Sequence, residues 1–299
     1  MKKIVAMFMV CCLTFLLCAC SADNTKKEVP KTKIGLLKTI CGKEEFIKSH
    51  FVADHTSGTI DYDFVEYQTL SALVSAVTIR DIKGFSINES TAQYLLGKYS
   101  ELSYNTAGTG TRTEDFSMVT LTENKEVYDL LNENIKQLKA DGTMQALIDN
   151  SLTAYIQKDP EPTQAQPHYE GAKTIKIGLT GDLPPMDFVT PDGDFAGFNV
   201  ELLSEIARRE QVNIEYVKVN SGDRKKYLQR GSVDAVFWSR TVNCLEHNVS
   251  WSEIIDGMSL TESYFSDDTV YMNSKTTNTA FSSAGNSSSR RSDSKTSSK

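Results

Sequence analysis

The sequence predicts an α/β protein with mixed sheets that are covered on both faces by helices. Two observations predict this fold class. Strand-like and helix-like apolar runs alternate along most of the chain, and a proline-rich stretch at 158–173 divides them into two series. Strands that alternate with helices form parallel or mixed sheets, and the helices bury the faces of those sheets.

The first series occupies residues 33–157. Its clearest helical signal is Leu70, Leu73, Val74 and Val77, which share one face at helical spacing. The strands are predicted at Ile34–Lys38, Tyr62–Tyr67, Ile82–Ile87 and Phe116–Leu121, and the helices at Cys41–Phe51, Leu70–Val77, Thr91–Tyr99, Val127–Leu138 and Met144–Ile156.

The second series occupies residues 174–275, after a linker whose three prolines favour an extended chain. The strands are predicted at Ile175–Leu179, Ile214–Val219, Val233–Trp238 and Thr269–Met272, and the helices at Phe198–Arg209 and Arg224–Arg230. The last segment, 276–299, is rich in Ser, Thr, Asn and Lys. It has too little apolar surface to form a core, so we expect it to be disordered.

The N-terminus has the composition of an export signal. Two lysines precede an apolar run, Ile4–Leu17, which is shorter than the roughly 20 residues that span a bilayer. The run ends in Leu-Cys-Ala-Cys, which resembles the bacterial lipobox. This pattern predicts a signal peptide at 1–19, a diacylated Cys20 and a polar tether at 20–32. The alternative is an ordinary secretory signal that is rich in cysteine.

Charge and cysteine usage exclude several classes of protein. Removal of the two N-terminal lysines leaves 30 basic and 39 acidic side chains, which argues against nucleic-acid binding. Beyond the anchor only Cys41 and Cys244 remain, and we expect two separate thiols rather than a disulfide. The four histidines have no metal-ligand spacing, and no catalytic motif appears, so we expect no cofactor, no metal and no enzyme activity.

A set of motifs in the second series resembles the family 3 extracellular solute-binding proteins of bacterial ABC importers. The motifs are Lys176–Phe188 with its Pro-Pro turn, Asp192-Gly193, Ala196–Val200, Leu228–Ala235 and Tyr264-Phe265. In that family these motifs lie on the first lobe. The resemblance implies a two-lobed, periplasmic-binding-protein-like (type II) fold with a ligand cleft between the lobes.

The first series resembles the second lobe of the same family, followed by its C-terminal helices. The matching stretches are Lys33–Lys38, Ile82–Tyr94 and Leu138–Leu147. The two lobes therefore occur in reversed order, which predicts a circular permutation in which 158–173 joins the family's usual ends. The alternative is a decayed tandem array in which neither copy is whole.

The resemblance also implies which residues of the first lobe contact the ligand. Met186 and Phe188 occupy the stretch near the Pro-Pro turn where the family has aromatic walls, and Trp238 ends a strand beside the cleft. Trp238 has an alternative interpretation as a core residue. Asp182 and Asp187 flank the turn and are interpreted as its caps.

Both charged anchors for an amino acid differ from the family pattern. Thr241 is kept, but Glu246 stands where the family has the arginine that holds the ligand carboxylate, so Arg240 is the predicted substitute. On the other lobe Asn88 replaces the aspartate that accepts the ligand ammonium. An alternative role for Asn88 is the N-cap of the following helix.

These features predict a monomeric solute-binding protein that is lipid-anchored on the outer face of a bacterial cell membrane. Its expected partners are a small polar or amino-acid-like solute and an ABC permease, with no nucleic acid. The alternatives are a ligand-sensing or degenerate binding module and, less favoured, a dehydratase-like enzyme on the same fold.

Overall fold

The computed structural model describes residues 31–37, 62–105, 113–157, 166–241 and 257–275. Several predictions lie outside these residues: the export signal, Cys20, most of the tether, the helix at Cys41–Phe51, both remaining thiols, Glu246, residues 158–165 of the linker and the tail. Within the described ranges, no helix combines the length and apolar character needed to cross a membrane.

The helices and strands alternate as the apolar pattern predicts. The strands are β1 (Thr32–Leu37), β2 (Tyr62–Tyr67), β3 (Gly84–Asn88), β4 (Leu102–Asn105), β5 (Thr113–Leu121), β6 (Thr174–Leu179), β7 (Asp182–Leu183), β8 (Asp187–Val189), β9 (Phe195–Ala196), β10 (Asn213–Lys218), β11 (Ala235–Thr241), β12 (Met258–Leu260) and β13 (Phe265–Ser274). The helices are α1 (Leu70–Thr78), α2 (Glu89–Lys98), α3 (Lys125–Ala140), α4 (Thr143–Leu147), α5 (Thr153–Gln157), α6 (Phe198–Glu210) and α7 (Arg224–Gln229).

Parallel strands form the centre of each lobe. In one lobe β1 lies between β2 and β3, and in the other β6 lies between β10 and β11, all in parallel pairs. The strand order is β10-β6-β11-β5-β13-β3-β1-β2, with β12 added on β5 and β4 on β13, and β7, β8 and β9 form a separate antiparallel sheet. This is the predicted α/β class with mixed sheets in a two-lobed arrangement.

The long strand β13 connects the two lobes. Its first part, Phe265–Asp268, pairs with β5, and its second part, from Thr269 to Asn273, pairs with β3. Strand β5 also pairs with β11, so it belongs to the β6 lobe. The site described below lies beside β3, β13 and β5, where the two lobes meet.

Each lobe has its own hydrophobic core. The smaller core contains α1, β3, α2 and the end of β13. The larger core combines both series, because Leu131 and Ile135 of α3 are buried together with Ile177 of β6 and Leu203 of α6. Helix α3 therefore packs on the lobe built from residues 174–275 rather than on the one that precedes it in the chain.

The structure differs from the predicted elements mainly where elements are short. The single helix predicted at Met144–Ile156 is interrupted by a π-helical turn at Ile148–Leu152. Strands β7, β8, β9 and β12 were not predicted, since two or three residues are too few to show alternation. The described end of the linker docks on β10, where Asn213 exchanges hydrogen bonds with the Tyr169 backbone.

Candidate functional site

A cleft of about 840 Å³, part of it open to solvent, lies where the two lobes face each other. One wall is formed by the ends of β1 and β3, and the opposite wall by the end of β6 and the Pro-Pro turn. Strands β5 and β13 form the floor. The lining contains apolar side chains, including Phe116, Phe237 and Met186, together with a few polar groups. This composition is typical of small-molecule sites.

An adjoining cavity extends the cleft towards the N-terminus of α1. There the lobes touch directly. The Ser71 hydroxyl donates to Asp182 over 2.6 Å, and the Ser221 hydroxyl donates to the Gln68 carbonyl, also over 2.6 Å. Leu183 packs against both hydrophobic cores. Asp182, predicted as a cap of its own turn, thus accepts hydrogen bonds from the opposite lobe.

Asp187 holds the Pro-Pro turn in place. One carboxylate oxygen accepts hydrogen bonds from the Thr180 hydroxyl (2.7 Å) and the Gly181 N–H (2.6 Å), and the other accepts one from Asn199 (3.0 Å). These bonds confirm the capping role predicted for Asp187. Burial raises the pKa of this carboxyl, against the effect of the three hydrogen bonds.

The Gly-Phe-Asn-Val motif begins α6 for a steric reason. Gly197 has a φ of +115°, and a Cβ atom there would lie 2.6 Å from the Met186 carbonyl oxygen. Only glycine fits this close approach without strain. The Asn199 N–H then donates to that same carbonyl over 2.8 Å, which fixes the start of the helix against the cleft wall.

Arg224 is the cationic side chain that lines both cavities. It lies at the start of α7, is only 9% exposed, and donates from Nη1 to the Phe237 carbonyl over 3.1 Å. Burial lowers the pKa of its guanidinium to about 10, while the nearby Asp187 carboxylate acts in the opposite direction. A guanidinium remains protonated at neutral pH even so.

Polar side chains also meet on the floor of the cleft. Asn88, at the end of β3, donates its amide to the Glu114 carboxylate of β5 over 3.0 Å, and both side chains are buried. Thr269 of β13 is the backbone partner of Asn88 and lines the same cleft. A carboxylate, an amide and a hydroxyl therefore line the same cleft between the lobes.

Residues 175–276 match the bacterial extracellular solute-binding proteins, family 3. This part of the chain is similar to that family. The matched segment contains the Pro-Pro turn, the Gly-Phe-Asn-Val helix start and Tyr264-Phe265, which are the motifs that carried the resemblance in the sequence.

Two curated relatives are similar to shorter stretches. The L-arginine-binding protein of Pseudomonas aeruginosa is 28% identical over 76 residues, which are 25% of this chain and 29% of that protein. A protein of Vibrio harveyi, provisionally named an amino-acid ABC transporter-binding protein, is 33% identical over 67 residues, or 22% of this chain and 27% of that protein. The matches thus span less than a third of either relative's length.

Solved structures with a similar arrangement include the zinc-bound ligand-binding component of an ABC-type import system from Staphylococcus aureus. It has a TM-score of 0.46 and 9% sequence identity, over 86% of this chain and 70% of that chain. At this level the likeness adds nothing to the fold assignment, which rests on the strand order and cores described above.

The two predicted wall residues near the turn have different surroundings. Met186 lines the cleft and is buried in the larger core. Phe188 is buried beside Tyr94 and Tyr155, with ring centroids 6.4 Å and 5.6 Å apart, and is not among the residues that line either cavity. These three rings form an aromatic contact between α2, α5 and β8. The ligand contact of Phe188 stays a prediction.

The other four predicted residues also remain predictions as ligand contacts. Trp238, Arg240 and Thr241 lie in β11, which pairs with β5, but their side chains lie outside the described part of the structure. Asn88 occupies the N-cap position of α2 without a side-chain cap bond. Asp267 accepts from the Ser90 N–H instead, over 3.0 Å, which leaves the Asn88 side chain in the cleft.

The sequence analysis did not predict that Glu114, Thr269 and Arg224 line the cleft. Glu114 precedes the predicted strand at Phe116–Leu121, and no local pattern connects it with Asn88. Thr269 falls in a predicted strand, but its partner in β3 is far away in the chain. Arg224 begins a predicted helix with a charged sequence, which is also typical of an exposed helix. Its burial depends on the tertiary fold.

Proposed function

We propose that this protein binds a small amino-acid-type solute between its two lobes and delivers it to an ABC permease. The observation that carries the proposal is the polar and apolar cleft formed jointly by the family 3 segment and the preceding lobe. Binding proteins of this kind close by a hinge around their ligand. Strands β5 and β13, which lie between the lobes, are the candidates for that hinge.

The relatives support the class of solute. One is named for L-arginine binding and the other for amino-acid transport. The lining of this cleft includes a buried cation, Arg224, and a buried acid, Glu114. These are the two signs of charge that a zwitterionic solute needs. The proposed role is binding rather than catalysis.

A thermal-shift screen tests the proposal. The protein is melted with each standard amino acid, and with dipeptides, amines and aromatic acids. At a ligand concentration about a hundredfold above Kd, binding stabilises the native state by about 2.7 kcal/mol, which corresponds to several degrees in Tm. We expect at least one amino acid to raise Tm. A folded protein that responds to none of the compounds would refute the proposed function.

We further propose that Cys20 anchors the mature protein to the membrane. The support is the short apolar run before Leu-Cys-Ala-Cys. Two acyl chains hold a protein on a membrane stably, whereas a single chain does not. Cys20→Ala should release the protein from the membrane fraction or stall its processing, as measured by fractionation and gel mobility. If the variant is processed and fractionates like the wild type, the anchor is misassigned.

A further inference from the structure

Helices α1 and α2, which pack in the smaller core, begin in the same way. Ser71 is the second residue of α1, and it donates from both its backbone N–H and its hydroxyl to Asp182. Ser90 is the second residue of α2, and it donates in the same two ways to Asp267. The N–H groups in the first turn of a helix have no partner within the helix, so each aspartate satisfies one of them.

Both aspartates come from outside the part of the chain that forms the two helices. Asp182 lies in β7, on the lobe that contains the family 3 match. Asp267 lies in the part of β13 that pairs with β5, among the strands that form the floor of the cleft. Helix α1 has no acidic residue in its own first turn. The negative charge that stabilises its positive N-terminal end is therefore supplied by the opposite lobe.

The two contacts differ in their surroundings. Ser90 is only 5% exposed, and its bonds to Asp267 are partly buried beside the strand that connects the lobes. The bonds between Ser71 and Asp182 lie in an exposed position. A hydrogen bond that is near water can be exchanged for one to water at a small cost. The exposed contact therefore opens more readily than the partly buried one.

A second hydrogen bond between the lobes lies beside the Asp182 contact. The Ser221 hydroxyl, which precedes α7, donates to the Gln68 carbonyl over 2.6 Å. Both interlobe bonds therefore end within the short segment 68–71 at the start of α1. Leu183, next to Asp182, packs against the cores of both lobes, so an apolar contact accompanies the two bonds.

We propose that Asp182 is a releasable latch between the lobes, whereas Asp267 permanently attaches the smaller core to the floor strands. The Asp182 carboxylate leaves the N-terminus of α1 when the lobes separate and returns when they close. Hinge closure is a general motion of two-lobed binding proteins. The latch adds which group holds this chain closed, and it does not depend on the kind of solute.

The test measures lobe separation in the full-length protein without any added solute. Small-angle X-ray scattering gives the radius of gyration, and hydrogen exchange gives the protection of the Ser71 amide. The variants are Asp182→Asn alone and Asp182→Asn combined with Ser221→Ala. Asp192→Asn is the matched control, because Asp192 is an exposed acid in the turn that follows β8.

We expect Asp182→Asn to speed exchange of the Ser71 amide by about twofold to tenfold, as the loss of one hydrogen bond implies. The radius of gyration should increase, and it should increase further when Ser221→Ala is added. Each lost bond shifts the population towards separated lobes. Asp192→Asn should match the wild type in both measurements.

Two further variants distinguish a latch from an ordinary helix cap. Ser71→Asp gives α1 an acidic residue in its own first turn, which favours the helix but places a like charge opposite Asp182. It should increase the radius of gyration with little change in Tm. Asp267→Asn should lower Tm more than Asp182→Asn does, because the bonds that it loses are partly buried.

An unchanged radius of gyration in both Asp182→Asn and the double variant would overturn the latch, whether or not the Ser71 amide exchanges faster. A Ser71→Asp variant with the radius of gyration of the wild type would overturn it as well. Equal losses of Tm in Asp182→Asn and Asp267→Asn would contradict the distinction between a releasable and a permanent contact. None of these measurements uses a solute, so the proposed function is tested separately by the thermal-shift screen.

Discussion

Asp187 is the residue that orders the cleft wall. Its carboxylate connects the end of β6 to the start of α6 through Thr180, Gly181 and Asn199. Asn199 continues the network, because its Oδ1 accepts from the buried Tyr264 hydroxyl over 3.0 Å. Burial raises the pKa of Tyr264 well above its usual value, so this phenol remains a neutral donor. The network therefore joins three motifs that are far apart in the sequence.

Asp187→Ala should lower the free energy of unfolding by about 3 kcal/mol or more, because it leaves several buried donors and the Arg224 charge without their carboxylate. The matched control is Asp182→Ala, five residues earlier in the same turn, whose half-buried carboxylate bonds across to Ser71. We expect that change to cost about 1 kcal/mol or less. Urea denaturation measures both. Equal effects of the two substitutions would contradict the role given to Asp187.

The lowered pKa of Asp141, at the end of α3, determines part of the response of the fold to acid. Hydrogen bonds from Thr143 and then Arg209 lower the pKa of its carboxyl from 3.8 to about 2. A group whose pKa is lower in the folded state stabilises the fold above its unfolded pKa, and this contribution is lost as pH falls through the folded pKa. The relevant window is therefore from 3.8 down to about 2.

Asp141→Asn should flatten the fall in unfolding free energy over that pH window, and Arg209→Gln should flatten it in part. Chemical denaturation at several pH values measures the slopes. The effect should be small, because the pair lies at the surface, where solvent screens the charges. Identical acid slopes for the wild type and Asp141→Asn would count against this assignment.

At the scale of the elements, α3 shows what a sequence can and cannot predict. Its apolar periodicity predicted a helix at Val127–Leu138, close to the observed Lys125–Ala140, because burial on one face imposes the spacing. The same pattern does not show which lobe that face contacts. The sequence pattern also did not predict that Glu114, Asn88 and Thr269 would line the same cleft. Strand register brings these residues together, although they are far apart in the chain.

Helix α3 also gives a test of the proposed lobe order. Its buried residues Leu131 and Ile135 share a core with β6 and α6. A fragment of residues 33–157 loses these partners and exposes that face to water. We expect it to show no cooperative melt by circular dichroism or calorimetry, whereas the full chain melts cooperatively. A stable, cooperative fragment would favour the decayed tandem array over a permutation.

For the whole molecule, the two lobes and the β13 strand between them are the arrangement on which the proposed function depends. Residues 32–105 contribute one wall of the cleft and the family 3 segment contributes the other, while β5 and β13 form the floor. A solute bound there would contact both lobes at once. Two direct contacts, from Ser71 to Asp182 and from Ser221 to Gln68, already hold one side of the cleft together.

The most direct test of solute binding between the lobes is calorimetric titration of a cleft-blocking variant. Leu37 lines both cavities, and Leu37→Trp places an indole ring in the space that a solute would occupy. Ile79→Trp is the matched control, because Ile79 is 75% exposed and does not line the cleft. The titrant is the amino acid that gives the largest thermal shift. We predict one bound solute per chain in the wild type and in Ile79→Trp, and loss of binding in Leu37→Trp. Unchanged binding in a folded Leu37→Trp would contradict a site between the lobes.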